Sequence, residues 1–190
     1  MTKICFVRHG ETEWNALGKI QGKTDIPLNQ MGIKQAEQCA AYLNPSDFDL
    51  LISSPLKRAR QTADIINNKL NLPIVEMADF AERSFGVAEG MTLKERQEKY
   101  QNRNFPNEEK IEPFTDRVLS GIQNINAAYP NQSVLLVAHG AVIMTILHNL
   151  SNGEIAYGKT ALMNACISNI QYTKDRWSIK NFNLVDHLYD

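Results

Sequence analysis

Apolar residues along the chain follow two rhythms. Lys3 to Val7, Asp49 to Ser53 and Val134 to Ala138 are short, mostly apolar runs, as expected of strands covered on both faces. Ile33, Ala36, Ala40 and Leu43 recur instead at helical spacing, and so do Phe114, Val118, Ile122, Ile125 and Tyr129. Further helices are expected over about Leu56 to Lys69 and over Val142 to Leu150. A brief strand is expected near Ile74 to Glu76, after Pro73, with two closing strands near Cys166 to Tyr172 and Trp177 to Phe182. Strands alternating with helices in this way imply an α/β fold with a largely parallel, helix-covered sheet.

The stretch from Met91 to Glu112 breaks the rhythm, being rich in charge and poor in apolar residues. It reads as a solvated helix and loop, more an exposed connection than a substrate-shaping lid, although loops of this length often carry function. The 190 residues suit one domain spanning 1–190, with about 91–112 as a small lid or insertion. No repeat, heptad or low-complexity segment interrupts it.

With 43% hydrophobic and 22% charged residues and a formal net charge of -1, the chain has no global attraction for nucleic acid or an anionic membrane. An anion site has to be assembled locally from converging side chains. Met1-Thr2-Lys3 runs straight into Ile4 to Val7, which leaves no room for a secretory leader. No apolar run reaches the roughly 20 residues that cross a bilayer. Cys5, Cys39 and Cys166 are odd in number and set among apolar neighbours, as buried thiols in a reducing compartment would be. The expectation is a cytoplasmic protein.

Ligands of open α/β sheets bind beyond the carboxyl ends of the strands. Those ends read Arg8-His9-Gly10, then Ser53-Ser54-Pro55-Leu56-Lys57-Arg58, then His139-Gly140. Either histidine alone would be an ordinary hydrogen-bonded residue. Two His-Gly pairs at equivalent strand ends, with two or three cations beside them, point to a phosphoryl group held by arginine forks. A divalent metal among these histidines and Glu11 or Glu82 is the competing reading, and Arg8 and Arg58 oppose it by repulsion. Gly18-Lys-Ile-Gln-Gly22-Lys23-Thr24 imitates a nucleotide-binding loop, but it has three residues between its glycines instead of four, and Asp25-Ile26-Pro27 follows instead of a helix.

Arg8-His9-Gly10-Glu11-Thr12 resembles, letter for letter, the signature of the histidine phosphatase superfamily, the phosphoglycerate mutase-like proteins, and in particular their small phosphatase branch. The resemblance continues through Trp14-Asn15, Gln21-Gly22, Thr24 to Leu28, Ser53 to Ala63, Ala81 to Gly86, Glu89-Gly90 and Val137 to Gly140. It implies a three-layer α/β/α sandwich with a mostly parallel central sheet. By similarity, His9 is the nucleophile that becomes a phosphohistidine. Arg8, Arg58 and His139 hold the phosphoryl oxygens, with Asn15 and Gln21 as neutral donors. Glu82 is the acid and base, with a raised pKa; its plainer role is a surface pair with Arg83. Glu11 and Thr12 are expected to support the loop. His148 and His187 match no motif. Trp14 and Phe85 are candidates for the pocket wall.

Water as the second acceptor makes such an enzyme a phosphatase, and a second substrate oxygen makes it a mutase. The mutase branch carries a longer insertion with paired arginines beside tryptophan, which this chain lacks, so the expected activity is metal-independent hydrolysis of small phosphomonoesters. Phosphoglycerate mutase-type transfer is the alternative, and a non-catalytic phospholigand-binding module is a second. No cofactor or metal is called for. The expected partner is a small phosphorylated metabolite, with no nucleic acid and no membrane; the oligomeric state stays open. Met91 to Glu112 and the Asn15 to Thr24 loop are where substrate choice is expected to reside.

Overall fold

The computed structural model describes residues 1–188. Its strands are β1 (Thr2–Arg8), β2 (Leu50–Ser53), β3 (Ile74–Glu76), β4 (Ser133–Ala138), β5 (Ile167–Thr173) and β6 (Arg176–Leu184). They form one six-stranded sheet in the order β3-β2-β4-β1-β5-β6. β1 lies parallel to β4, β4 to β2 and β2 to β3, whereas β5 runs antiparallel to both β1 and β6. The helices are α1 (Glu13–Ala16), α2 (Gln30–Tyr42), α3 (Lys57–Leu70), α4 (Leu93–Lys99), α5 (Ile111–Ala128) and α6 (Gly140–Leu150).

The strands alternate side chains between two cores, which is why their runs read as continuously apolar. Ile4, Phe6, Leu50, Ile52, Val134 and Leu136 pack with Phe114, Val118 and Ile122 of α5 and Val142, Ile143 and Ile146 of α6. Cys5, Val7, Leu51, Leu135 and Val137 face the other way, onto Cys39 and Ala40 of α2 and Ala59, Ala63 and Ile66 of α3. Helices therefore cover both faces, as the three-layer expectation holds. All three cysteines are free and buried, and burial pushes the Cys5 thiol up to about 12 and the Cys166 thiol up to about 11, away from the reactive thiolate form.

Two elements depart from the sequence pattern. The four-residue α1 has no buried side chain to create a periodicity; it exists because Thr12 and Asn15 form a reciprocal capping box. α6 begins at Gly140 although its apolar repeat begins at Val142, because Gly140 and Ala141 form a first turn that opens onto a cavity. The 91–112 stretch contains α4 as its helix, solvated on its outer side. It is less exposed than a plain connection, because Phe105 is buried and Arg96 lines the same cavity as α6. No helix among the described residues is long and apolar enough to cross a membrane.

α2 touches the loop after β1 backbone to backbone. A Cβ on Gly32 would lie 2.0 Å from the Glu11 carbonyl oxygen, and one on Gly10 would lie 2.4 Å from that of Gly32. Gly32→Ala is therefore expected to lower stability by about 1–3 kcal/mol, as overpacking does, read as a lower urea midpoint with an unchanged slope. An unaltered midpoint would mean that α2 can shift away from the loop.

Candidate active site

Three neighbouring parallel strands end level with one another, and their next residues meet. Arg8 pairs with Ala138 in the β1–β4 register, the His9 N–H donates to the Ala138 carbonyl at 2.9 Å, and the Ser54 N–H donates to the Val137 carbonyl at 3.0 Å. His9 and His139 are thereby brought to 5.2 Å between ring centroids. His9 lines a cavity of about 350 Å³ together with Arg8, Asn15, Gln21, Arg58 and Glu82, and His139 lies directly beside it.

His9 is 2% exposed, and its Nδ1 lies 2.7 Å from the Gly10 carbonyl oxygen. A carbonyl only accepts, so Nδ1 carries the proton and Nε2 keeps a free lone pair. Burial first, then the charges of Arg58 and Arg8, hold the ring well below the usual histidine pKa, outweighing the Gly10 contact. The imidazole is thus held in its neutral form, with the lone pair on Nε2.

The cations are fixed by backbone carbonyls. Arg58, 1% exposed, donates from Nη1 to the Thr24 carbonyl at 3.0 Å and from Nη2 to that of Gly22 at 2.7 Å, while Arg8 donates from Nη1 to the Leu162 carbonyl. Arg8 Nε, Arg58 Nε and His139 Nδ1 are buried and have no acceptor among the described residues. Buried donors in native proteins almost always have partners, so an unpaired group of this kind calls for an explanation. Here two belong to arginines that line one cavity and the third lies directly beside it, and an anion with several oxygens would satisfy them together.

The two amides are oriented to match. Asn15 Oδ1 accepts from the Thr12 N–H at 3.1 Å and from Asn164 Nδ2 at 3.2 Å. Gln21 Oε1 accepts from Thr12 Oγ1 at 2.8 Å. With both oxygens so engaged, each side chain has its NH₂ left for the cavity. Thr12 thus aligns the amides, and Glu11 anchors the loop by accepting from Asn29 Nδ2 at 2.8 Å.

The tautomer of His139 follows from Ser54, which is fully buried. Its Oγ accepts from the Leu56 N–H at 3.3 Å and lies 2.7 Å from His139 Nε2. If Nε2 carried the proton, the serine hydroxyl hydrogen would have no acceptor among the described residues. Oγ–H therefore donates to Nε2, and Nδ1–H points away as a donor. Burial, followed by Arg58, His9 and Arg8, holds this ring neutral too.

Glu82 is 8% exposed, and its two oxygens accept from the Arg83 N–H at 2.9 Å and the Ala141 N–H at 3.1 Å. Burial raises its pKa against these hydrogen bonds and against Arg58 and Arg8. It does not pair with the Arg83 side chain, which is joined to Glu108 at 3.1 Å. Arg117 of α5 supports the Glu82 loop. It donates to the carbonyls of Asp79, Ala81 and Glu82 and grips Glu109 through Nε at 2.7 Å and Nη2 at 2.9 Å.

Arg8, His9, Asn15, Gln21, Arg58, Glu82 and His139 are thus gathered around one cavity or, for His139, directly beside it. Phe85 lines the cavity, whereas the Trp14 ring lies against Gly90. The Lys57 side chain points to solvent and its N–H donates to Asp25 Oδ1 at 2.7 Å, so Arg58 is the cation which that strand end contributes. His148 and His187 lie elsewhere, against the carbonyls of Ile155 and Ala165. Asn164, Arg117 and the orienting role of Ser54 were missed by sequence reasoning. Asn164 and Arg117 sit in segments with no motif, while Ser54 stood inside a quoted one with nothing to reveal its partner.

Donors converging from several chain segments on a free imidazole nitrogen make this the pocket of an enzyme acting on phosphoric monoesters. Residues 4–185 match the model of the histidine phosphatase superfamily (branch 1), and the chain belongs to that family. It is 50% identical to the uncharacterised phosphatase PhoE of Bacillus subtilis, over 99% of this chain and 97% of that one. It is 33% identical to a metal-independent phosphoserine phosphatase of Arabidopsis thaliana, over 99% and 84% of the two chains. A phosphoserine phosphatase of Entamoeba histolytica, solved with 3-phosphoglyceric acid, superposes over the whole of both chains with a TM-score of 0.87 and 32% identity.

Ser54→Ala removes the group that sets the His139 tautomer. Phosphate affinity should fall about tenfold or more, the worth of one hydrogen bond to a charged group, and ¹⁵N spectra should show the His139 proton no longer confined to Nδ1. An unchanged spectrum would refute the assignment.

Proposed function

We propose that the chain is a metal-independent phosphatase that hydrolyses small phosphomonoesters through a phosphohistidine on His9. The observation that carries this reading is the free Nε2 lone pair of a neutral, buried His9, in a cavity lined by Arg8, Arg58 and Glu82 with the unpartnered Nδ1 of His139 directly beside it. A pocket that only bound phosphate would need the donors but not a nucleophile with a protonatable carboxyl in the same cavity.

In the first half-reaction His9 Nε2 attacks phosphorus and the ester P–O bond breaks. The departing alkoxide takes the Glu82 proton and leaves as an alcohol. Arg8, Arg58, His139 Nδ1, Asn15 and Gln21 hold the non-bridging oxygens as charge moves onto them. In the second half, water attacks the phosphohistidine and gives its proton to the Glu82 carboxylate. The P–N bond breaks, phosphate leaves, and both groups return to their starting protonation. The substrate is a small phosphorylated metabolite, consistent with the cavity of about 350 Å³ and with relatives named for phosphoserine.

Phosphate release from small esters, with and without a chelator, tests the reading in the parent and in His9→Ala. Turnover should survive chelation and vanish in the variant. Isomerisation of 3-phosphoglycerate with little release would instead make the chain a mutase. Productive enzyme needs His9 neutral and Glu82 protonated, so activity is lost at low pH as His9 gains a proton and at high pH as Glu82 loses one. The acid limb should lie well below the ordinary histidine value and the alkaline limb above the ordinary carboxyl value. Glu82→Gln should erase the alkaline limb. It should also cut kcat/KM for alkyl phosphates by about 10²- to 10⁴-fold, and much less for p-nitrophenyl phosphate, whose leaving group needs no proton.

A further inference from the structure

Tyr157, in the segment between α6 and β5, lines the catalytic cavity with its hydroxyl turned onto α6. The residue is 50% exposed, yet its hydroxyl donates to the Ala141 carbonyl at 3.0 Å and meets Thr145 Oγ1 at 2.5 Å. A tyrosine on a surface ordinarily lays its ring on protein and keeps its hydroxyl in water. The single Tyr157 hydroxyl proton goes to Ala141, so Thr145 is the donor in the second contact. Thr145 is buried one turn after Ala141 on α6, where a threonine hydroxyl ordinarily bonds the carbonyl four residues back. Here the Tyr157 hydroxyl takes both that carbonyl and the threonine proton.

The turn held in this way is the one that grips Glu82. The Ala141 N–H donates to Glu82 at 3.1 Å, and the other hydrogen bond to that carboxyl comes from the adjacent Arg83 N–H. Among the described residues, Ala141 supplies the one hydrogen bond that orients the carboxyl from outside its own loop. Yet the turn has little with which to hold itself. Gly140 has no side chain, and a Cβ there would lie 3.4 Å from Arg8 Nε, while Ala141 has only a methyl group. Glycine also has the most backbone freedom to lose. With no bulky side chain to pack, the turn is pinned by what bonds to its backbone.

Tyr157 is itself fixed. Two residues earlier, the Ile155 carbonyl accepts from His148 Nδ1 at 2.9 Å and the Ile155 N–H donates to Ser151 Oγ at 3.0 Å. The His148 and Tyr157 rings lie 6.2 Å apart, tilted at 49°. Burial of the hydroxyl raises the Tyr157 pKa, so the group stays protonated and remains a donor.

We propose that Tyr157 is a positioning residue for the acid step: by holding the first turn of α6 it keeps the Ala141 N–H, and through it the Glu82 carboxyl, aimed at the departing ester oxygen. The inference rests on the phosphatase reading above and adds to it a residue which that reading does not use. The effect is confined to substrates whose leaving group needs the Glu82 proton.

The test measures kcat/KM for glycerol 3-phosphate and p-nitrophenyl phosphate in the parent, Tyr157→Phe, Glu82→Gln and the double variant. Phenylalanine keeps the ring and removes the hydroxyl, and turnover of p-nitrophenyl phosphate reports that the site is folded. Tyr157→Phe should lower the value for glycerol 3-phosphate about 3- to 10-fold relative to that for p-nitrophenyl phosphate, the worth of one neutral hydrogen bond. On the Glu82→Gln background the same substitution should change that ratio by less than about twofold. In Tyr157→Phe the alkaline limb should also move to higher pH, because the Ala141 N–H holds the Glu82 pKa down and Arg58 and Arg8, the charges facing Glu82, stay in place. Equal slowing of both esters, a loss that persists without the carboxyl, or an unmoved alkaline limb would overturn the proposal while leaving the phosphatase reading intact. Failure of the parent to release phosphate from either ester would remove both.

Discussion

The burial of Arg58 is the constraint on which the site depends. A guanidinium taken out of water needs acceptors for its N–H groups. Here the carbonyls of Gly22 and Thr24 supply two, and Nε is left over for the cavity. That solution requires the Gly22–Thr24 loop to stay in register, and Glu89 holds it there. Its carboxylate accepts from the Lys23 N–H at 3.1 Å, the Thr24 N–H at 2.9 Å and the Phe85 N–H at 2.9 Å. A Cβ on Gly22 would fall 2.1 Å from the same carboxylate, and Gly22 adopts φ +57, so glycine is required there twice over. One acid thus joins the loop that holds Arg58 to the segment that carries Glu82 and Phe85.

Arg117 applies the same device on the other side. Its fork on Glu109 fixes the guanidinium, and the remaining N–H groups collect the carbonyls around Glu82. Because Glu109 also receives the Ser84 N–H at 3.2 Å, the end of the 91–112 stretch and the Glu82 loop are held by a single pair. The Glu82 carboxyl and the 91–112 stretch are parts of one hydrogen-bonded assembly.

Much of this was legible in the sequence. The three buried strands announced themselves because both of their faces are covered, and Arg8, His9, Arg58 and His139 because strand ends in such a sheet converge. α1 and the first turn of α6 stayed hidden because polar capping and small residues leave no apolar period. Asn164, Arg117 and Ser54 stayed hidden for a different reason. Each acts on a residue distant in the chain, and a hydrogen bond across 149 positions, such as that from Asn164 to Asn15, has no sequence periodicity.

Burial also pushes the two groups toward the opposed protonation states that the proposed reaction needs. In water a histidine and a glutamic acid side by side would exchange a proton to form an ion pair, because the imidazole is the stronger base. Desolvation disfavours the charged form of each group, so it moves His9 down and Glu82 up. Arg8 and Arg58 lower both values. They reinforce the effect on His9 and oppose it on Glu82, where burial is the larger influence. When phosphoryl transfer removes the Glu82 proton, these same cations stabilise the carboxylate left behind. In the proposed reaction the two arginines would therefore serve the nucleophile before transfer and the conjugate base after it.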